Sequence, residues 1–227
     1  MKKIKQQKAL ILSANFGNFD SELTWPIQTM FEGIEIQVKR FNDQNFPGRE
    51  LAFTSRMKPA LIKMFGWEMV PGFDFYIWVD ASKTITSPDF GAFMLEQLGK
   101  ADIAIFKHPD RRSIQEEYEF VKQKMDEGNN YLLSRYQGEF LTEQWEQIQA
   151  DKSFVDRALY ASTGFAYRPT PKIKAAFKEW WYHKTRFLLH DQLALPYVLS
   201  KAKAKVHVIV ENIYKFSRWD HTRQKRR

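Results

Sequence analysis

The stretch Phe73-Asp74-Phe75-Tyr76-Ile77-Trp78-Val79-Asp80-Ala81-Ser82 decides how this chain is read. An apolar, aromatic and β-branched run stops abruptly on a carboxylate. Such a run reads as a strand buried on both faces, of the kind found in parallel sheets. Ligands of open α/β sheets sit at the carboxyl ends of the strands, so Asp80 stands where a bound phosphate or metal would be met. A charge at a buried strand end is costly without a partner. Asp80 is therefore either paired structurally or holding a cation.

On either side of this run, strand and helix patterns alternate. Lys8 to Ser13 reads as a strand, followed by a polar turn over Asn15 to Ser21, and Ile34 to Arg40 alternates at period two as a second strand. Phe41 to Arg49 is a turn-rich loop containing Pro47-Gly48. The pattern predicts a helix over Phe53 to Phe65, ended by Pro71-Gly72, and another over Phe90 to Leu98. Ala101 to Phe106 is a short apolar strand. From Ser113 to Ala150 the spacing is helical, divided into two helices at Gly128-Asn129-Asn130, with Ser113 and Glu116 as a capping box. Leu159 to Tyr167 is a strand, Lys172 to Tyr182 and His190 to Ser200 are helices, Val206 to Val210 is a final strand, and 218–227 is a basic tail. This alternation argues an α/β three-layer sandwich.

At 227 residues the chain can bury one sizeable core, and a single domain over 1–227 is expected. Hydrophobic residues make up 44% and aromatics 15%, which marks a globular and not a disordered sequence. No eighteen apolar residues run together, so no transmembrane helix is expected. The basic start, Met1 to Lys8, is like the first region of a signal peptide, but the apolar stretch Ala9 to Ala14 is too short for a signal core. The absence of cysteine excludes disulfides and thiolate zinc sites, and a cytoplasmic location is the expectation. The net charge of +8 suits nucleic acid, anionic membrane or phosphorylated small molecules, without choosing among them.

Several clusters can carry chemistry. Asp80 and Ser82 offer a carboxylate and a hydroxyl on a turn leaving a strand, oxygen donors that suit Mg2+ or Mn2+. A turn-capping Asp with Lys83 as its salt partner explains the same residues. Arg56 and Lys58, with Lys63 further along the same helix, are cations near a strand-end cleft, or simply a solvated helix face. Lys107-His108-Pro109-Asp110-Arg111-Arg112 follows another buried strand and lies at the same sheet edge as Asp80. Ser162, Thr163 and Gly164 are small residues on a strand, a sign of close approach by a ligand or by another backbone. His190-Asp191-Gln192 opens a helix, where Asp191 is favoured by the helix dipole; alternatively Asp191 and Gln192 point into the cleft and bind sugar hydroxyls.

Taken together, SRMKPALIKMFGWEMVPGFDFYIWVDASKTI, KHPDRRSIQEEYEFV, ASTGFAYRPTP, RFLLHDQLALPYVL and RWDHTR resemble, in order, segments of the TOD1/MUCI70-type glycosyltransferase-like family. The resemblance spans roughly Ser55 to His221. It implies a GT-A fold, a three-layer sandwich around a mostly parallel sheet, with a nucleoside-diphosphate sugar donor at the carboxyl edge. It also implies transfer of the sugar to a hydroxyl acceptor (glycan, lipid or protein), assisted by Mn2+ or Mg2+. By this likeness Asp80, Ser82 and His221 are the metal ligands, and Asp191 is the sugar-binding or catalytic carboxylate. His108 and Arg111 help form the pocket; Arg56, Lys58, Ser162, Thr163, Gly164, His190 and Gln192 are further substrate-binding candidates. Ser82 departs from the Asp-x-Asp pattern of such enzymes. Two rival readings are a basic nucleic-acid-binding module, which no recognisable motif supports, and a domain that binds nucleotide sugars without catalysis.

Overall fold

The computed structural model describes residues 6–17, 19–21, 24–46 and 53–221. Its elements run β1 (Lys8–Ala14), β2 (Glu35–Phe41), α1 (Met57–Met69), β3 (Phe75–Val79), β4 (Lys83–Ile85), α2 (Phe90–Leu98), β5 (Ile103–Lys107), α3 (Ile114–Asp126), α4 (Asn130–Tyr136), α5 (Leu141–Ala150), β6 (Tyr160–Tyr167), α6 (Pro171–Arg186), α7 (Asp191–Lys201), β7 (Val206–Ile209) and β8 (Trp219–His221). Among the described residues, six strands form one sheet in the order β2-β1-β3-β6-β5-β7. The β1–β2, β1–β3 and β5–β7 pairings are parallel; β6 runs antiparallel to both of its neighbours. This is a mostly parallel α/β sandwich, as the alternation of patterns requires.

The decisive run is the centre of that sheet, with β1 on one side of β3 and β6 on the other. Its side chains alternate between two cores, and all five are buried. Tyr76 and Trp78 pack with Ile62 and Trp67 of α1, Phe177 and Trp180 of α6 and Leu193 of α7. Phe75, Ile77 and Val79 pack with Phe90 and Met94 of α2 and with Phe216 and Trp219 beyond β7. Burying each such side chain contributes roughly 1.5–3 kcal/mol relative to leaving it in water, so covering both faces outweighs any propensity for another conformation. The chain therefore leaves the sheet at Asp80 with its backbone fixed: the Asp80 N–H donates to Thr163 O at 2.8 Å, and the Lys83 N–H donates to Asp80 O at 2.9 Å.

Three local expectations change. The first helix begins at Met57, four residues later than its apolar pattern suggests. Pro59 has no N–H to give, and this start keeps it within the first turn, where that donor has no partner in any case. The region 113–150 holds α3, α4 and α5, not two helices: Gly138, at φ +82°, breaks it a second time before Leu141. Ser113 does cap α3, accepting from the Glu116 N–H at 3.1 Å, while the Glu116 carboxylate reaches the Arg112 N–H at 2.6 Å, one residue earlier than a capping box places it. The basic tail is also not tail throughout. Its start forms β8, which pairs antiparallel with β4 so that Lys83 lies opposite His221. Pro47-Gly48 and the basic residues beyond His221 lie outside the described residues.

Gly164 is explained by packing. A Cβ there would stand 2.8 and 2.9 Å from ring carbons of Trp219, which closes the second core over β6. Gly164→Ala should cost about 1–3 kcal/mol, the usual range for overpacking a filled core. Thermal unfolding of the variant checks this; an unchanged midpoint would mean that Trp219 moves freely aside.

Candidate functional site

At the carboxyl edge of the sheet, just beyond Val79, four elements deliver one polar cluster. Asp80 leaves β3, Lys63 projects from α1, Ser162 sits in β6 and Asp191 opens α7. The Lys63 ammonium donates to Asp191 Oδ2 at 2.7 Å, to Asp80 Oδ1 at 3.2 Å and to Ser162 Oγ at 3.2 Å. An ammonium has three protons to give, so these acceptors satisfy it completely. Ser162 Oγ donates in turn to Asp191 Oδ2 at 3.0 Å, and Trp78 Nε1 donates to Asp80 Oδ1 at 2.6 Å. Lys184 of α6 closes the other side, donating to Asp191 Oδ1 and, at 2.7 Å, to Leu189 O.

The two carboxylates are thereby made unequal. Both oxygens of Asp191 are engaged, and although burial opposes its ionisation, the Lys184 and Lys63 ammoniums hold its carboxyl far below the usual range. For Asp80 burial wins over Lys63, and the charge of Asp191 adds to it, so its carboxyl is pushed up. Lys63 and Trp78 both meet Oδ1 of Asp80, and among the described residues no side chain donates to its Oδ2. Its side chain is 34% exposed, against 4% for Lys63. The cluster thus presents Asp80 towards solvent and keeps its cation inside.

The other expected site residues separate into groups. Lys58 is buried at the ends of β1 and β2, 3.4 Å from Asp43 and over the rings of Phe16 and Phe46. Arg56 donates to Arg135 O at 2.7 Å and lies over the Tyr136 ring. Neither reaches Asp80; on this helix that contact belongs to Lys63. Thr163 contributes its carbonyl to the Asp80 N–H. Gln192 lies half-buried on the first turn of α7, next to Asp191.

His108, Arg111 and His190 meet around Glu117 of α3. His190 Nε2 is 2.7 Å from Glu117 Oε1, while Arg111 Nε donates to Glu117 Oε2. His108 Nδ1 accepts the backbone N–H groups of Asp110 and Arg111, and burial pushes its imidazole down. His190 immediately precedes Asp191, the first residue of α7, so Glu117 ties this group to the N-terminus of that helix. Glu117 is buried, which opposes ionisation, yet hydrogen bonding and charge from His190 and Arg111 hold it down to about 2. Its folded-state value lies below the ordinary 4.5, so the stability it contributes is present above pH 4.5 and lost as pH falls towards 2. That loss amounts to about 3 kcal/mol. Urea unfolding at a series of pH values should show it, and Glu117→Gln should remove most of this acid-induced decline; an identical decline in the variant would place it elsewhere.

Asp80, Ser82 and His221 do lie on adjoining segments, since the Asp80 turn leads into β4 and β4 pairs with β8. The buried Lys83 ammonium stands 2.9 Å from both ring nitrogens of His221, a position over the ring face. Asp80 Oδ1 is taken by Lys63 and Trp78. Among the described residues, no three His, Asp or Glu side chains converge as candidate ligands.

Sequence reading missed Lys184, underweighted Lys63 and did not single out Asp20. Asp20 is buried beside the cluster, clamped through its backbone by Asn15, with Oδ1 unpartnered among the described residues. Burial, then the charge of Asp80, pushes its carboxyl up. The signal for the lysines was their phase. Lys63 falls on the stripe Ala60, Met64, Trp67, and Lys184 on the stripe Ile173, Phe177, Trp180, and both stripes are buried. A lysine on an apolar stripe needs a carboxylate within the core.

No protein-family model matches the chain, and no curated protein sequence matches it. Among solved structures it is similar to mouse xyloside xylosyltransferase 1 in its apo form, at 10% identity over 89% of this chain and 85% of that one, with a TM-score of 0.47. It is similar also to a glycosyltransferase involved in glycosylation of the major capsid of PBCV-1, at 10% identity over 89% of this chain and 81% of that one, with a TM-score of 0.44. A third likeness, to the WbbM bifunctional glycosyltransferase in its apo form, covers 92% of this chain and 40% of that one at 11% identity and a TM-score of 0.46. Likenesses of this size assign neither an activity nor a residue to this chain.

Proposed function

We propose that this chain is a glycosyltransferase that moves a sugar from a nucleoside-diphosphate donor to a hydroxyl acceptor. The observation that carries this reading is the convergence of Asp80, Asp191, Lys63 and Ser162, from four separate elements, at the carboxyl edge of a mostly parallel sheet. That edge is where such sheets take their ligands.

The main barrier in glycosyl transfer is departure of the diphosphate while the anomeric carbon gains positive charge. Asp191, kept ionised by two buried lysines, supplies a fixed negative charge towards that carbon and an acceptor for a sugar hydroxyl. With both oxygens engaged and its basicity lowered, it orients and stabilises and is a poor general base. The Asp80 oxygen outside the lysine and tryptophan contacts is the one this pair offers to an incoming hydroxyl or to the donor. Gln192 and Thr163, half-buried beside them, are in place for sugar contacts. A polynucleotide is the weaker reading: Lys58, Lys63, Lys83 and Lys184 are buried in internal contacts and do not add to a surface stripe.

The test is a panel of nucleotide sugars, screened by thermal shift and by hydrolysis, on the wild type and on Asp80→Ala. At least one donor should stabilise the wild type and be turned over slowly, and Asp80→Ala should abolish turnover. Stabilisation without turnover in any case would indicate a binding domain, and neither effect with any donor would end the glycosyltransferase reading.

A further inference from the structure

We propose that the acceptor is itself a sugar, and that it is held on the face of Tyr214 beside the Asp80 turn. This deepens the glycosyltransferase reading and rests on it. Tyr214 lies on the segment that joins β7 to β8 across the carboxyl edge of the sheet. That segment is anchored from within: Ile213, Phe216 and Trp219 are buried with Phe90 and Met94 of α2, and the Trp219 indole N–H donates to Ile213 O at 3.0 Å. A turn fixes the backbone, with the Tyr214 N–H donating to Asn212 Oδ1 at 2.8 Å and the Lys215 N–H to Asn212 O at 3.0 Å. Between its buried neighbours, Tyr214 is turned outward and is 56% exposed. Its ring is nonetheless held in place. It stacks on His221 of β8, with ring centres 6.2 Å apart and an angle of 22°, and its hydroxyl lies against the exposed Asp110 carboxylate. Partial burial, then the charge of Asp110, pushes that hydroxyl up.

These groups together fit a sugar ring. The C–H groups of a pyranose make an apolar face that packs on the electron-rich face of an aromatic ring. Asp110, beside the tyrosine hydroxyl, accepts from sugar hydroxyls. Lys83 lies over the face of His221, so the nitrogens of that exposed ring are open in their own plane to further hydroxyls. The placement favours the acceptor over the donor. Lys63 and Asp191 come from α1 and α7, which pack on the sheet face that carries Tyr76 and Trp78, whereas Tyr214 and His221 flank the residues that close the opposite face over Ile77 and Val79. Asp80 ends the strand between these two layers. The second layer reaches its turn, since the Lys83 N–H donates to Asp80 O at 2.9 Å and Lys83 pairs with His221. Two substrates that react with each other need sites opening on one point, and this edge offers one on each side of Asp80. A lipid tail would need a run of apolar lining, but here a single ring is bordered by Asp110 and His221.

The experiment is saturation-transfer NMR on the full chain with the methyl glycosides of glucose, galactose, mannose, xylose and N-acetylglucosamine. Transfer assays follow, using whichever donor the nucleotide-sugar panel identifies, with a serine/threonine peptide and a long-chain alcohol as competing acceptors. At least one glycoside should receive saturation, strongest at the C–H groups on one face of its ring, and should accept the sugar. Tyr214→Ala should weaken its binding by about tenfold or more, and raise its KM with a smaller change in kcat. Tyr214→Phe should retain binding, since the ring face makes the contact, and Asp110→Asn should weaken it roughly fivefold. Melting curves show that the variants are folded; Asp110→Asn decides if Tyr214→Ala is not. Absence of saturation on every glycoside, unchanged binding in folded Tyr214→Ala, or transfer only to the peptide or the alcohol overturns the sugar acceptor and leaves the glycosyltransferase reading standing. A glycoside held on Tyr214 by a chain that neither binds nor turns over any nucleotide sugar ends that reading, and the acceptor role with it.

Discussion

Replacing Lys63 with methionine is expected to destabilise the fold by roughly 3–5 kcal/mol, the cost of leaving a buried charge without its partner. The methionine fills the same volume along α1, so lost packing contributes little. What is removed is the ammonium that joins Asp80, Ser162 and Asp191. Asp191 keeps Lys184, but among the described residues the Asp80 carboxylate is left with the Trp78 N–H as its hydrogen-bond donor. Adding Asp80→Asn to the Lys63→Met background should therefore recover much of the loss, because the stranded charge is gone, with a coupling between the two sites of about 1–3 kcal/mol. Urea midpoints at constant slope measure all three variants. A loss under about 1 kcal/mol for Lys63→Met would put it in the range of exposed ion pairs and would mean that Lys63 does not hold the cluster together.

Asp191→Asn is expected to lower turnover of whichever nucleotide sugar the wild type uses by about 10²–10³-fold, the usual loss on removing one fixed charge aimed at a transition state. Affinity for the nucleoside diphosphate should change by no more than a few-fold, since the carboxylate acts on the sugar and not on the leaving group. A split of this kind, in kcat and not in binding, identifies an interaction made in the transition state. The variant keeps the shape of the side chain and the Ser162 hydrogen bond, so its folding can be checked separately by its melting temperature. Unchanged turnover would remove Asp191 from the reaction and leave it as a structural partner of two lysines.

The sequence was informative where one physical effect dominated. The Phe73–Ser82 run could only be satisfied by burial on both faces, and β3 is indeed central, with Tyr76 and Trp78 in one core and Ile77 and Val79 in the other. Asp80 and Asp191 were both readable as edge carboxylates, because each sits at the end of an element whose apolar pattern fixes its position. Which cation meets Asp80 was not readable for a corresponding reason: on a helix, residues a few positions apart point in different directions, and only packing selects Lys63 over Arg56 and Lys58. Lys63 was readable on the same helix but outweighed by its charged neighbours. His108, Arg111 and His190 carried the chemistry of a binding pocket in their residue types, yet Glu117 on α3 gathers two of them into a brace.

By itself, then, the sequence determined an α/β sandwich with a central buried strand that ends on a charged residue. Hydrophobic period and turn residues act over a few positions and leave few alternatives. Only the tertiary structure decided what that charge meets. Asp80 was left between a structural ion pair and a cation site, and the answer lies in residues 17 and 111 positions away, Lys63 and Asp191, together with a lysine at position 83 facing a histidine at 221. Contacts over such separations depend on how helices and strands pack against one another. No local pattern encodes that a lysine on an apolar stripe will find two carboxylates.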